Sequence, residues 1–240
     1  MWRDDLHGIF YIALKDMKTY YLKPPAISWG IVFPVAWILA FYLRSPRAFE
    51  ELVPGLIAMT ILFSTTAAEA VVINFELRIG SLERLLLAPL TYSAVLLGKV
   101  LGGALFGLLM TALVTTGSVL GLGLYVNPAQ LALIVIPSLF AFSSMGALLC
   151  VMVREVFEAQ TLANLPRFLM MFLSGIFYPI SAMPLPLQYI AHLLPLTYTV
   201  NGLRSALSPS GTALADSLVL SAFAIAFTVP ATRLLQRRFA

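Results

Sequence analysis

Few residues in this chain of 240 are of a type and spacing that could do chemistry. Gly98-Lys99 comes closest to a phosphate cradle. The pattern Gly-x-x-x-x-Gly-Lys-Ser/Thr, however, would need glycine where Ser93 stands and a hydroxyl where Val100 stands. The histidines His7 and His192 are far apart and neither belongs to a His-Glu-x-x-His pair, and no Gly-x-Ser-x-Gly elbow occurs. Cys150, the single cysteine, sits in an apolar run, so an intramolecular disulfide is excluded. No catalytic, cofactor-binding or metal-binding set is therefore expected in this chain. The ionisable residue that stands out is Glu69, the acidic side chain of the apolar run Leu52 to Ile73. Carboxylates at such depth are costly enough to be functional candidates, although a hydrogen-bonded structural place is equally open.

The elements that must position these residues follow from composition. With 60% apolar and 11% charged residues and a mean hydropathy of +0.92, the chain is far from a soluble domain, where roughly 25% of residues are charged. It reads as a single all-α polytopic membrane domain over 1–240, with room for about six helices of ~20 residues. Residues 1–25 form an amphipathic helix for the membrane interface, with Leu6, Ile9, Phe10, Ala13, Leu14 and Met17 opposite Asp4, Asp5, Lys15, Asp16 and Lys18. The start Met1-Trp2-Arg3-Asp4-Asp5 does not read as a signal peptide. Six spans are expected at Ile27–Leu43, with Trp29 and Trp37 as anchors, and at Leu52–Ile73, Ser93–Val126, Ala129–Val153, Gln160–Ile180 and Ala213–Leu235. Between the last two, Pro179, Pro184, Pro186, Pro195 and Pro209 cut 179–209 into pieces of roughly ten residues, too short to cross. They predict a re-entrant helical hairpin between the fifth and sixth spans.

Between the second and third spans lies a charged island, 74–92. Gly80 and Ser81 offer a turn and a helix N-cap, and Glu83 suits the positive end of a helix dipole. Leu82, Leu85, Leu86 and Pro89 recur at spacings of three and four, so a stubby surface helix is expected with Glu83 and Arg84 free to meet something in water. Orientation follows from the basic residues. With the N-terminus cytoplasmic, twelve of the fifteen lie inside, including Arg154 and Arg167, leaving Arg44, Arg47 and Arg204 outside. Both termini and the island then face the cytosol and the hairpin faces out. Basic residues at the inner rim meet anionic lipid, which accounts for the pI of about 9.3 without nucleic acid.

The order Gly80-Ser81-Leu82-Glu83-Arg84-Leu85, Ala88-Pro89-Leu90, Gly98-Lys99, Phe172-Leu173-Ser174-Gly175-Ile176-Phe177-Tyr178-Pro179 and Leu194-Pro195-Leu196-Thr197-Tyr198 resembles the type-2 permeases of ATP-binding-cassette exporters over nearly the whole chain. The resemblance implies a multi-pass permease of the cell (plasma or inner) membrane that exports a drug, lipid or glycan-lipid. It also implies a second permease copy and two cytosolic ATPase subunits that bind ATP and Mg in this chain's stead. Gly80, Ser81, Glu83, Arg84, Leu85 and Pro89 would form the coupling helix that docks on the ATPase. The first, second and fifth spans would face the route, so that Phe63, Glu69, Phe172, Phe177 and Tyr178 are candidates to line it. His192, Tyr198, Asn201 and Arg204 would sit in an extracellular cap. The rival reading is an ion-coupled transporter working through Glu69.

Overall fold

The computed structural model describes residues 2–28, 32–44, 49–153, 156–209 and 211–239. Trp29, Arg47, Arg154 and Glu155 lie outside the described residues, as do the side chains of Arg3, Trp37, Arg44 and Arg78. All regular structure among the described residues is helical. The N-terminal helix α1 (Trp2–Asp16) ends earlier than the expected residue 25, because the chain widens into a π-turn at Met17–Tyr21, closed by the Leu22 amide donating to the Met17 carbonyl at 3.2 Å. Two short helices, α2 (Pro24–Ile27) and α3 (Phe33–Arg44), occupy the place of the first expected span.

Helix α4 (Phe49–Arg78) has 30 residues and overruns the second expected span at both ends. Its polar stripe is satisfied along its own backbone: the hydroxyls of Thr60, Ser64, Thr65 and Thr66 donate to the carbonyls of Leu56, Thr60, Ile61 and Leu62. Such back-bonding lets hydroxyls sit in apolar surroundings at little cost. After the surface helix α5 (Ser81–Leu86) come α6 (Tyr92–Leu122) and α7 (Pro128–Met152), separated by a turn in which the Asn127 side chain caps α7 through the Ala129 and Gln130 amides. Helix α8 (Val156–Leu173) stops seven residues short of the expected Ile180. Gly175 there takes φ +80°, a left-handed conformation that ends a helix. The pieces α9 (Leu185–His192) and α10 (Pro195–Ala206) follow the proline cuts, and α11 (Leu214–Phe239) closes the chain.

Among the described helices α6, α7 and the Leu214–Arg238 stretch of α11 are long and apolar enough to cross a membrane by length and composition. Helix α4 is about 45 Å long at 1.5 Å per residue, but it carries Glu50, Glu51, Glu69 and Glu76. It packs on α6, α7, α8 and α10 around a core that includes Ile57, Leu62, Phe63, Leu139, Phe142 and Val200. A second core at the α5 end gathers Ile12, Leu82, Val95, Leu96, Val151 and Leu235. Small residues on α6 allow the close approaches. A methyl added at Gly98 would meet Ile12, one at Gly102 would meet Tyr21, and Gly103 and Gly107 receive side chains from α4 and α7. Gly117 and Gly121, in contrast, face open space. The Asn127 amide donates to the Ala206 carbonyl at 3.0 Å, so the end of α10 sits beside the α6–α7 turn, at the opposite end of the bundle from α5.

Candidate functional site

Helix α5 hangs between the end of α4 and the start of α6. Gly80 itself occupies the N-cap with φ +68°, a sharp reversal that a side chain would resist. Ser81 makes no side-chain cap, so the expected hydroxyl cap is replaced by backbone geometry, with the Arg84 amide donating to the Gly80 carbonyl at 3.3 Å. Leu82 is buried, and Leu85 and Leu86 pack half-buried on the second core. Glu83, Arg84 and Pro89 are exposed. Leu87 is 86% exposed and gives the surface an apolar knob that the sequence reading missed.

Behind α5 lies a square of charges. Lys99 of α6 donates to Asp16 of α1 at 2.8 Å and to Glu76 of α4, while Lys15 donates to Glu76 at 2.5 Å and lies 3.0 Å from Asp16. The side chains of Asp16 and Glu76 are fully buried, Lys99 is 2% exposed and Lys15 40%. Burial, reinforced by the Glu76 carboxylate, pushes Asp16 above its ordinary value against the pull of Lys99. Burial works against Glu76 as well, yet Lys99 and Lys15 hold it below its ordinary value. Lys15 is raised, its burial outweighed by the two carboxylates. A second tie lies at the start of α1, where Asp5 accepts from the amide of Thr91 at 3.0 Å and from its hydroxyl at 3.3 Å. Thr91 in turn caps α6. Lys99 is therefore spoken for by carboxylates and is not poised for phosphate. Its counter-ions are legible only as residues bordering other apolar runs.

The residues considered for a route do not form one group. Glu69 accepts from Ser143 at 3.2 Å and fits against Gly103 and Gly146, facing α6 and α7. Phe63 faces the other way, its ring 4.5 Å from that of Phe33 and 6.4 Å from that of Phe168. Phe172 and Phe177 pair at 6.1 Å beyond the end of the Phe63 cluster, and Tyr178 is exposed. Arg167, which the sequence reading used only for orientation, stands three turns into α8 and is buried beside Phe63.

At the opposite end, Tyr198 donates to the His192 carbonyl at 2.7 Å, and Arg204 donates to the Gly175 carbonyl at 2.5 Å. Thr199 and Ser138 share a hydrogen bond of 3.0 Å that fastens α10 to α7. His192 is exposed and Asn201 half-buried. No group of three or more His, Cys, Asp or Glu side chains that could hold a metal occurs among the described residues.

Long apolar helices, a charged helix presented at one end and polar groups fastened between helices fit a polytopic helical membrane protein. The chain belongs to the ABC-2 type transporter family, whose model matches residues 7–208. It is 29% identical over 211 residues to the probable multidrug ABC transporter permease YbhS of Escherichia coli K12, covering 85% of this chain and 50% of that protein. To the inner membrane transport permease YadH of the same strain it is 26% identical over 212 residues, covering 85% and 80%. To the putative transport permease ycf38 of Cyanophora paradoxa it is 28% identical over 223 residues, covering 85% and 75%. The chain thus spans about half the length of the first of these relatives.

Proposed function

We propose that this chain is the permease subunit of an ATP-driven exporter that moves an amphiphilic or hydrophobic substrate out of the cytoplasm. In this reading the stretch Ile27–Leu43 and the helices α4, α6, α7, α8 and α11 serve as the six spans, both termini lie in the cytosol of a cell with the permease in its plasma or inner membrane, and α9 and α10 form the re-entrant extracellular cap. Two permease copies work with two cytosolic ATPase subunits, which bind ATP and Mg. The observation that carries the reading is the mounting of α5. Its exposed Glu83 and Arg84, with Leu87 just past its end, form a contact surface, while its root at Gly80 stands four residues from Glu76 in the buried charge square. A displacement of α5 by the ATPase reaches α4, α6 and α1 together through that square. Family membership favours ATP over an ion gradient as the drive.

The test is co-expression with a cassette ATPase, purification in mild detergent, mass measurement and reconstitution in vesicles loaded with a fluorescent amphiphile. The expected result is a complex of two permeases and two ATPases whose transport requires ATP hydrolysis. Transport that ignores ATP and collapses with a proton ionophore would establish the ion-coupled alternative through Glu69 instead.

A further inference from the structure

We infer that Arg167 receives the headgroup of the transported molecule, and that the substrate is an anionic amphiphile: a phosphate, sulfate or carboxylate on an apolar body. The inference rests on the reading of the chain as an amphiphile exporter and deepens it.

Arg167 is 1% exposed, yet its partners are neutral. Its Nε donates to the Thr66 hydroxyl at 2.6 Å and its Nη1 to Asn164 at 2.8 Å, and Nη2 has no hydrogen-bond partner. No ion pair among the described residues includes it. The buried carboxylates pair with other groups: Asp16 and Glu76 hold the two lysines, and Glu69, one helical turn from Thr66 on α4, accepts from Ser143 through Oε1. Counted from Ile73, the cytosolic end of the expected second span, Thr66 lies about 10 Å inside at 1.5 Å per residue. A guanidinium at that depth without a counter-charge is expensive, and intramembrane cations of this kind pair with something or line a route. Its planar fork matches the paired oxygens of a phosphate, sulfate or carboxylate.

The surroundings supply the other half of an amphiphile site. The Phe63 ring lies 6.0 Å from the guanidinium carbon, and Phe33, Phe63 and Phe168 form an aromatic cluster contributed by α3, α4 and α8. Phe168, next to Arg167 in the chain and 38% exposed, is also a wall of an open crevice of about 690 Å³ shared with Val153, Thr161, Leu162 and Leu165. Glu158 stands at the Val156 end of α8, more than two turns from Phe168, where its charge repels an anion from that end and leaves the Phe168 end as the favourable seat. An apolar body along the crevice and the aromatic cluster brings its head to Nη2 with a small movement between α4 and α8.

The experiment uses the complete permease–ATPase complex in phosphatidylcholine nanodiscs and measures ATPase stimulation by an alkyl phosphate and by an alkyl trimethylammonium of equal chain length. The expected result is that the phosphate half-saturates at about tenfold lower concentration or better than the ammonium. Arg167→Gln raises the phosphate value by about tenfold or more, the size of one lost charge-assisted bond, and leaves the ammonium response unchanged. Arg167→Lys restores part of the loss. A parallel arm with phosphatidylglycerol nanodiscs and no added probe identifies the source of the head: Arg167-dependent stimulation there points to a bilayer lipid, its absence to a free amphiphile. Equal wild-type responses to both heads, or an Arg167→Gln complex with an unchanged phosphate value, overturns the inference. Stimulation by the ammonium alone leaves the export reading standing and removes this one, whereas failure to assemble with any ATPase removes both. The wild-type preference decides the matter even where the glutamine variant does not assemble.

Discussion

Replacing Lys99 by methionine removes the buried cation of the charge square and leaves Asp16 and Glu76, both without exposed side-chain surface, sharing the half-exposed Lys15. One negative charge is then uncompensated. Breaking a buried pair in this way costs about 3–5 kcal/mol. A second route to the magnitude agrees with it. If one carboxyl with an ordinary value near 4 escapes by taking up a proton at pH 7, the cost is roughly three units, or about 4 kcal/mol. At about 2–4 °C per kcal/mol for a chain of this size, thermal unfolding followed by fluorescence in detergent should fall by roughly 8–16 °C at pH 7. The proton route predicts more: at pH 5 only about one unit separates the solution from the carboxyl, so the deficit narrows to roughly 1.4 kcal/mol. Adding Glu76→Gln to Lys99→Met should recover most of the loss at pH 7, because a Lys15–Asp16 pair remains. A shift within about 2 °C at pH 7, or a deficit equal at pH 5 and pH 7, refutes the reasoning.

Glu83→Ala in α5 and Leu87→Asp just past its end change exposed residues, so each should move thermal stability by no more than about 0.5 kcal/mol while reducing ATP-dependent transport severely; unaltered transport removes α5 from the coupling role. The pH profile carries two opposite signs. Glu76, depressed in the fold, contributes stability that is present above about pH 4.3 and lost as pH falls through its lower folded value, so Glu76→Gln should flatten the acid limb. Asp16, raised in the fold, contributes stability that is present below about pH 3.9 and lost as pH rises through its folded value, so Asp16→Asn should remove that upper decline; parallel profiles in a pH series of melts contradict both assignments. A cysteine at exposed His192, in a background lacking Cys150, should react with a membrane-impermeant thiol reagent applied from outside; labelling from the cytosolic side alone overturns the topology.

Helix positions were legible because long apolar runs and prolines act locally. The turn at Asn127-Pro128, the surface helix after Gly80 and the two short helices between Pro184 and Ala206 fall close to where spacing puts them. The end of α8 was not legible, because an apolar run continues past Gly175 and the break depends on one backbone angle. The charge square was invisible as a unit because its members stand at positions 15, 16, 76 and 99; the usable signal was a lone lysine in an apolar run, which demands a counter-ion. Glu69 attracted attention for the same reason, but the notch that seats it, Gly103 and Gly146 on two other helices, exists only after folding. Arg167 stands deeper in its helix than in the expected span, because α8 begins earlier, at Val156, than hydropathy alone suggests.

The charge square also imposes an order on biogenesis. Asp16 emerges from the ribosome 83 residues before Lys99, and Glu76 emerges 23 residues before it. Until α6 is made, Lys15 can offset only one of the two carboxylates and the other stays hydrated, which holds α1 at the water boundary and keeps the end of α4 from being drawn inward. Arrival of Lys99 supplies the second positive charge and lets α1 settle along α6, with Thr91 engaging Asp5 alongside it. Helix α1 thus takes its place only after the later-made α6 has arrived, and a ribosome stalled before residue 99 would leave α1 undocked.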